Sequence, residues 1–464
     1  MDGIGDTVRR VSRHSSDRWL SAWALGYAAI GAASLLVPLY ALELGAGPFV
    51  AGALEATAGL AGVPGALVWG TLADRTGRRR AFVLLSLLGS GASLALFPWI
   101  SSIQYLLAVN AVLWFLVAAA TPVLTLFMIE ESPEREWEAR IGVLNAYQRY
   151  GWVGGLLIGA VWLWLGTRMV APLPAQRSFF IVCAIGAFLA TPLAFVWLPP
   201  EATTHPRRLT RSAAAVVRLV SGSGRYLKLI PFAPARALLV VRSLHRRRVR
   251  SRFTSPLRRY FLTVLVFSTG FATFFGPVPA YLIEQSYPSS SVFGFFILAS
   301  LASAMLFVPV GKLASERHPK SLQLTALSVR TVLFPAFGAI ALLSGIALRG
   351  IGLAGGFVLL GITWAVVVVT GAGIVSRSAA RVIRGEALGV FTALSGVGGG
   401  LGGLLGGYVA LVLGYQIAFT LSGAIVLSSV LLLVRTEFAF ETSPGEGDET
   451  VSPSGRSGSE RGSA

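Results

Sequence analysis

The sequence predicts an all-α polytopic membrane protein with twelve transmembrane helices in two pseudo-symmetric six-helix bundles. Three observations support this class. Only 13% of the 464 residues are charged and 54% are hydrophobic, whereas about a quarter of residues are charged in an ordinary soluble domain. Twelve apolar runs are each long enough to cross a bilayer, which takes about 20 helical residues. Glycine-containing motifs recur between the first six runs and the last six.

The apolar runs fall into two sets of six. Backbone groups inside hydrocarbon must be satisfied within their own segment, so runs of this length are expected to be helices. The period-two alternation of a membrane barrel is missing from the sequence. The first set lies at 20–42, 49–72, 81–99, 104–128, 141–165 and 178–198. The second set lies at 258–283, 292–313, 322–348, 351–375, 386–412 and 415–434.

Lysine and arginine predict the orientation of these helices. Short loops on one side, including the N-terminal segment, hold sixteen of them, and the loops on the other side hold only Arg168, Arg177 and Arg349. Basic residues are enriched in short cytoplasmic loops. We therefore expect a multi-pass protein of the plasma membrane with both termini in the cytoplasm.

The remaining segments complete the domain organisation. It consists of a cytoplasmic N-terminus (1–19), a first bundle (20–200), a linker (201–257), a second bundle (258–436) and a tail (437–464). The linker is strongly basic within a net charge of +18, and its only acid is Glu201. It is expected to be either a helix on the anionic inner leaflet or a solvated tether. Its lack of interleaved aromatic residues argues against nucleic-acid binding, and the Ser-, Gly- and Glu-rich tail is expected to be disordered.

Glycine spacing indicates that one bundle is a copy of the other. Gly151, Gly155 and Gly159 in the fifth run match Gly398, Gly402 and Gly406 in the eleventh, 247 positions later. Gly62 belongs to a similar stripe in the second run, where small residues recur at every fourth position. Such stripes let helices approach closely. The glycines expected at helix contacts are Gly62, Gly151, Gly155, Gly398 and Gly402.

A charged motif lies between the second and third runs, where residues 70–80 read GTLADRTGRRR. In this motif, in its twelve spans and in its long linker after the sixth span, the chain resembles the major facilitator superfamily. The resemblance implies a transporter fold and a charge relay at a cytoplasmic gate in which Asp74 contacts the start of span eleven. The residues that match the motif are Gly70, Asp74, Arg75, Gly77, Arg78 and Arg79. The alternative is that they only set the topology and form a tight turn.

Charged groups inside the spans are the candidates for substrate chemistry, because a charge in hydrocarbon is costly. Glu55 is the candidate for proton coupling, since a carboxylate in a low-dielectric cavity can carry a proton. Arg149 and Arg330 are expected to hold an anionic group or a partner carboxylate. Alternatively, Glu55 reaches outer water and Arg149 reaches the inner surface or pairs with a nearby acid. Polar neighbours that complete this set are Asn145, Gln148 and Asn110.

The function predicted from these features is secondary transport of a small solute by alternating access, with a proton-coupled exporter of small organic or amphipathic compounds favoured. An uptake symporter for a small organic anion or nutrient is the first alternative. A polytopic membrane enzyme or a non-transporting transceptor is the alternative of another class. Expected partners are membrane lipids, a small-molecule substrate and protons, the chain is expected to be a monomer, and neither nucleic acid, metal nor cofactor is expected.

Overall fold

In a computed structural model, the described residues are 18–130, 137–198, 253–340, 345–380 and 383–438. Their regular structure is helical throughout, and eleven helices are long and apolar enough to cross a membrane. A twelfth, shorter apolar helix at Ile103–Val117 completes the set. The N-terminus, almost all of the basic linker and the tail beyond residue 438 lie outside the described residues.

The helices of the first half are numbered by crossing. They are α1 (Arg18–Glu43), α2 (Pro48–Thr76), α3 (Arg79–Leu96), α4a (Ile103–Val117), α4b (Thr121–Glu130), α5 (Trp137–Met169) and α6 (Pro172–Trp197). The helices of the second half are α7a (Ser255–Phe275), α7b (Val278–Glu284), α8 (Ser289–Glu316), α9 (Pro319–Ile340), α10 (Ile346–Ser378), α11 (Arg384–Leu413) and α12 (Tyr415–Val434). The described parts therefore contain six crossings in each half, as the sequence predicts.

Two crossings are interrupted where the sequence predicts continuous runs. The fourth breaks before Pro122 and the seventh at Gly276 and Pro277. Proline lacks the N–H that would continue the helical hydrogen-bond ladder and crowds the preceding turn, so both breaks have a local cause. Each interrupted crossing resumes as a shorter helix in the same half.

The turn between α2 and α3 is shorter than the sequence predicts. Helix α2 continues to Thr76, which places Gly70 inside the helix and not in the turn. Gly77 then ends α2 with a φ of 66°, and its N–H donates to the carbonyl of Ala73 at 2.9 Å. This left-handed conformation is the one that glycine adopts at low cost. Hereafter, the turn side is the membrane side that holds Gly77 and Arg78, and the far side is the opposite one.

The boundary between α9 and α10 also differs from the prediction. The ninth run was predicted to reach 348, but α10 already begins at Ile346, directly after Gly345 with a φ of 92°. Arg349, predicted in a loop, therefore lies in the first turn of α10. Arg168 and Arg177, also predicted in a loop, lie within α5 and α6 because both helices extend beyond their apolar runs.

Matching hydrogen bonds show that the two halves are related. Tyr40 near the end of α1 donates to the carbonyl of Ile100 at 2.8 Å, just after α3. Tyr281 in α7b donates to the carbonyl of Phe337 in α9 at 2.7 Å. The segments 37–43 and 278–284 read VPLYALE and VPAYLIE and are 241 positions apart. Each half therefore uses the same tyrosine to join its first and third crossings.

The glycines of α5 and α11 pack inside their own halves. A Cβ added at Gly155 would stand 2.0 Å from the carbonyl oxygen of Ala28 in α1. A Cβ at Gly402 would stand 2.0 Å from the carbonyl oxygen of Thr269 in α7a. Gly151 and Gly398 make equivalent approaches to α1 and α7a. These four glycines therefore join the fifth crossing of each half to the first and make no contact between the halves.

A different set of glycines joins the two halves. Gly52 and Gly59 of α2 face Gly403 and Gly396 of α11 so closely that an added Cβ at Gly59 would stand 2.3 Å from the carbonyl oxygen of Gly396. The prediction for Gly62 is wrong, because a Cβ there would meet no described atom within 4 Å. The glycines of α2 that contact α11, Gly52 and Gly59, therefore lie on another face of the helix than the stripe of small residues that contains Gly62.

The contact between the halves is described on the far side and in the middle of α2 and α11. Gly389 lies one heptad before Gly396 on the same face of α11, yet a Cβ at Gly389 would meet no described atom within 4 Å. On the far side, Gln176 of α6 donates to the hydroxyl of Ser289 of α8 at 3.3 Å, and both side chains are buried. Contact between α2 and α11 is therefore present as far as Gly396, and none is seen at Gly389 among the described residues.

Paired substitutions of neighbouring glycines test this packing. We expect Gly155→Ala and Gly402→Ala to destabilise the protein by about 1–3 kcal/mol, because the added methyl groups collide with backbone carbonyls. Gly154→Ala and Gly399→Ala are the matched controls, since a Cβ at either position meets nothing within 4 Å. Thermal unfolding of the purified protein in detergent measures the difference, and equal melting temperatures in all four variants would contradict the packing.

Candidate functional site

Glu55 is directed toward the inside of the molecule. On α2, the face that carries the exposed Pro64 and Val68 is the one suited to lipid. At 100° per residue, Glu55 lies on the opposite side of the helix, between the faces that contact α11 and α4a. Its side chain is solvent-exposed, so it borders space between the crossings. Glu55 forms no hydrogen bond or ion pair with a described residue.

Asn110 holds the helix that carries Glu55. It is 3% exposed on α4a, and its amide donates to the carbonyl of Leu54 at 3.1 Å and to the hydroxyl of Thr57. These acceptors flank Glu55 in the sequence. Because all of these contacts are to α2, Asn110 fixes the position of Glu55 and does not point into open space.

Arg149 lies at the boundary between the two halves. Its guanidinium carbon is 5.7 Å from the ring centroid of Phe307 in α8. Asn145 is exposed and Gln148 half-buried on the same face of α5. Neither of the two amides forms a hydrogen bond with a described residue. Arg149, Asn145 and Gln148 therefore place one cation and two amides on the half of α5 that is closer to the turn side.

Arg330 occupies a separate position inside the second half. It is fully buried on α9, where its Nε donates to the hydroxyl of Thr363 at 2.9 Å and its Nη2 to the carbonyl of Leu360 at 2.9 Å. No carboxylate among the described residues pairs with it. The structure thus does not bring Arg330 together with Glu55 or Arg149, which lie in the first half.

Only part of the charged motif is described. Arg80 donates to the carbonyl of Phe195 and lies over its ring, with 5.4 Å between guanidinium carbon and centroid. Arg78 is exposed at the start of α3. The side chains of Asp74 and Arg75 lie outside the described part of the chain. The charge relay at a gate therefore stays a prediction.

The far-side contact between the halves was missed in the sequence. Besides the Gln176–Ser289 hydrogen bond, Phe179 and Phe293 meet edge to face with 6.3 Å between centroids. A glutamine near the start of the sixth run was the available signal, because an uncharged amide among apolar residues needs a partner. Its partner lies 113 residues away in the other half, and no local pattern connects the two.

Within the described ranges, no cluster of three or more histidine, cysteine, aspartate or glutamate side chains could hold a metal ion. Glu55, Asn110, Arg149 and Gln176 are instead single residues on helices that line or support the boundary between two related halves. Such an arrangement of repeated helices around a central site is typical of secondary transporters.

A family model described as Major Facilitator Superfamily matches residues 19–381. The chain therefore belongs to the Major Facilitator Superfamily of transmembrane transporters. No curated protein sequence matches the chain.

Solved structures of transporters share the fold. A variant of the nucleoside transporter NupG superimposes with a TM-score of 0.71 at 12% identity, covering 91% of this chain and 99% of that one. A D-xylose-proton symporter gives 0.66 at 12% identity, covering 92% and 98%. The human organic anion transporter MFSD10 (TETRAN) gives 0.55 at 19% identity, covering 91% and 99%. At these identities the likeness shows the fold alone.

A pair of asparagine substitutions tests the support of Glu55. We expect Asn110→Leu to lower the free energy of unfolding by about 1–3 kcal/mol, because a buried acceptor on α2 loses its donor. Asn145→Leu is the control, since this exposed asparagine has no hydrogen-bonding partner among the described residues. The two melting temperatures in detergent should differ by several degrees, and indistinguishable values would remove Asn110 as a support.

Proposed function

We propose that the protein is a secondary active transporter that exports small organic or amphipathic compounds in exchange for protons. It works as a monomer in the plasma membrane with both termini in the cytoplasm. The observation that carries the proposal is Glu55, an unpaired carboxylate that borders the space between the crossings. An ionised carboxylate away from bulk water is costly unless something neutralises it.

The exchange of protons for substrate follows from the free-energy cost of leaving Glu55 ionised without a neutralising group. When the far side is open, Glu55 binds a proton from outside, and when the turn side is open it releases that proton to the cytoplasm. A substrate that enters from the cytoplasm binds best when Glu55 is deprotonated, so one proton moves inward for each substrate that leaves. Because the proton and the substrate share a single site, neither half of the exchange completes without the other.

Contacts between the halves support alternating access. They lie on the far side at Gly52, Ser289 and Phe293, whereas a Cβ at Gly389, near the turn-side end of α11, would meet no described atom within 4 Å. With the expected orientation, this is a state open to the cytoplasm. The opposite state requires the far-side contacts to part and the turn-side ends to close. In that state Asp74 and the arginines that follow it would lie near the start of α11 and help to hold it, as a carboxylate is favoured at a helix N-terminus.

Uptake of a small organic anion by symport is the second candidate. Arg149 and Arg330 favour it, because arginine stays protonated and suits carboxylate groups. Among the similar structures, one is an organic anion transporter and another is a proton symporter. In this case the proton and the substrate would move in the same direction. A membrane enzyme or a non-transporting transceptor would show no flux at all.

Flux measurements with a pH gradient distinguish these functions. The purified full chain is reconstituted into liposomes, and a library of labelled organic compounds is tested with and without an imposed gradient. We expect gradient-driven counterflow with the wild-type chain and a loss of at least tenfold of the gradient-dependent rate with Glu55→Gln, because the amide cannot bind a proton. Glu43→Gln is the control, since Glu43 is exposed at the far-side end of α1.

Retention of full pH-driven flux by Glu55→Gln would remove Glu55 as the coupling residue. Co-directional movement of protons and substrate would replace export by symport. If no compound moves while the reconstituted protein remains folded, the proposal of transport fails.

A further inference from the structure

The buried surroundings of Arg330 contain an unusual excess of hydrogen-bond donors. A guanidinium group has five N–H donors and no acceptor. Nε is occupied by Thr363 and Nη2 by Leu360, but Nη1 has no partner although it is shielded from solvent. The residue itself is 0% exposed. A cation with an unused donor edge is thus enclosed within the second half.

Aromatic rings form the walls around this guanidinium. Its central carbon lies 4.1 Å from the ring centroid of Phe271 and 5.7 Å from those of Phe334 and Trp364. Ring faces attract a cation, and they stabilise Arg330 without a carboxylate. The rings carry no negative charge, however, and they leave Nη1 without a hydrogen-bond acceptor. The aromatic contacts explain how the arginine is tolerated but not what its free edge binds.

A second unpartnered donor lies on the same face of α9. Gln323 precedes Arg330 by seven residues, which is two helical turns, and it is also 0% exposed. Its Oε1 accepts a hydrogen bond from Tyr260 at 2.9 Å, while its Nε2 has no partner. The interior between α7a, α9 and α10 therefore has two buried nitrogen atoms without acceptors. Water could satisfy an amide, but only an anion neutralises a guanidinium.

A purely structural role accounts for only part of these contacts. Arg330 does join α9 to α10 through Thr363 and Leu360. That function needs only the Nε and Nη2 donors, and a neutral amide could supply such donors without burying a charge. The fork formed by Nη1 and Nη2 is the geometry that binds carboxylates well. Trp364 is half-buried, so one wall of the enclosure borders accessible space.

We propose that Arg330 is the anchor of an anion-binding site inside the second half, with Nη1 as the donor and Phe271, Phe334 and Trp364 as its walls. The ligand is a monovalent anion, either the carboxylate of the transported compound or a free halide. Only the first source depends on the proposed transport. Binding of the anion neutralises the guanidinium and satisfies Nη1.

Thermal stability of the purified full chain in detergent tests the site without requiring transport. Sodium chloride, sodium acetate and sodium benzoate are titrated separately, because a ligand that binds only the folded protein raises its melting temperature in a saturable manner. We expect saturable stabilisation of the wild-type chain by at least one of these anions. The apparent dissociation constant should rise at least tenfold in Arg330→Lys, which keeps the charge but loses the planar fork.

Arg168→Met is the matched control, because it removes an arginine from the other half, where the guanidinium carbon lies 3.7 Å from the ring centroid of Trp164, and it should change the apparent dissociation constant less than twofold. Stabilisation by chloride alone assigns the site to a free halide, and stabilisation by acetate or benzoate assigns it to a ligand carboxylate. The site is ruled out if folded wild-type protein shows no saturable response to any of the three anions, or if Arg330→Lys binds with unchanged affinity. Either result is obtained whether or not the Glu55 flux assay detects transport.

Discussion

Close approach of helix backbones at glycine is the constraint on which this structure depends. Helices in lipid gain little from burying apolar side chains against one another, so contact has to come from tight packing. Gly155 and Gly402 bring the fifth crossing of each half against the first, at backbone distances that admit no side chain. Gly59 and Gly396 repeat this between the halves, near the middle of α2 and α11. The same kind of contact thus joins the helices within each half and the two halves to one another, and in the proposed mechanism only the second set of contacts parts.

The polar residues also divide into those within one half and those at the boundary between the halves. Asn110 joins α4a to α2 by its hydrogen bonds to Leu54 and Thr57. Glu55 lies between these two acceptors in the sequence and has no partner among the described residues. Gln176 and Ser289 join the halves by a single hydrogen bond, which can break at a modest cost. Arg330 lies away from the boundary, inside one half. A titratable group on the boundary and a permanent cation within a rigid half are suited to different tasks, the first to coupling and the second to holding an anion.

Much of the fold could be predicted from the sequence because hydrophobic length and basic loops are local signals. The twelve crossings and the duplication are present in the structure, and the segments around Tyr40 and Tyr281 contain a repeat that the glycine pattern alone did not reveal. Helix ends were predicted less well, since Gly345 and Gly77 end or begin helices through backbone conformation and not through hydropathy. The direction of the glycine faces could not be predicted. Gly62 and Gly59 are both small residues of α2, and only the placement of α11 decides which of them is in contact.

Distances between spin labels on the two halves test the central claim most directly. In a variant lacking Cys183, one pair is placed on the turn side at Thr76 and Arg317 and the other on the far side at Met169 and Leu348, all four of which are exposed. On addition of a transported compound or a change of pH, alternating access predicts that the turn-side distance shortens while the far-side distance lengthens. Two distances that remain constant under every condition, or that change in the same direction, would contradict a boundary that opens on one side at a time.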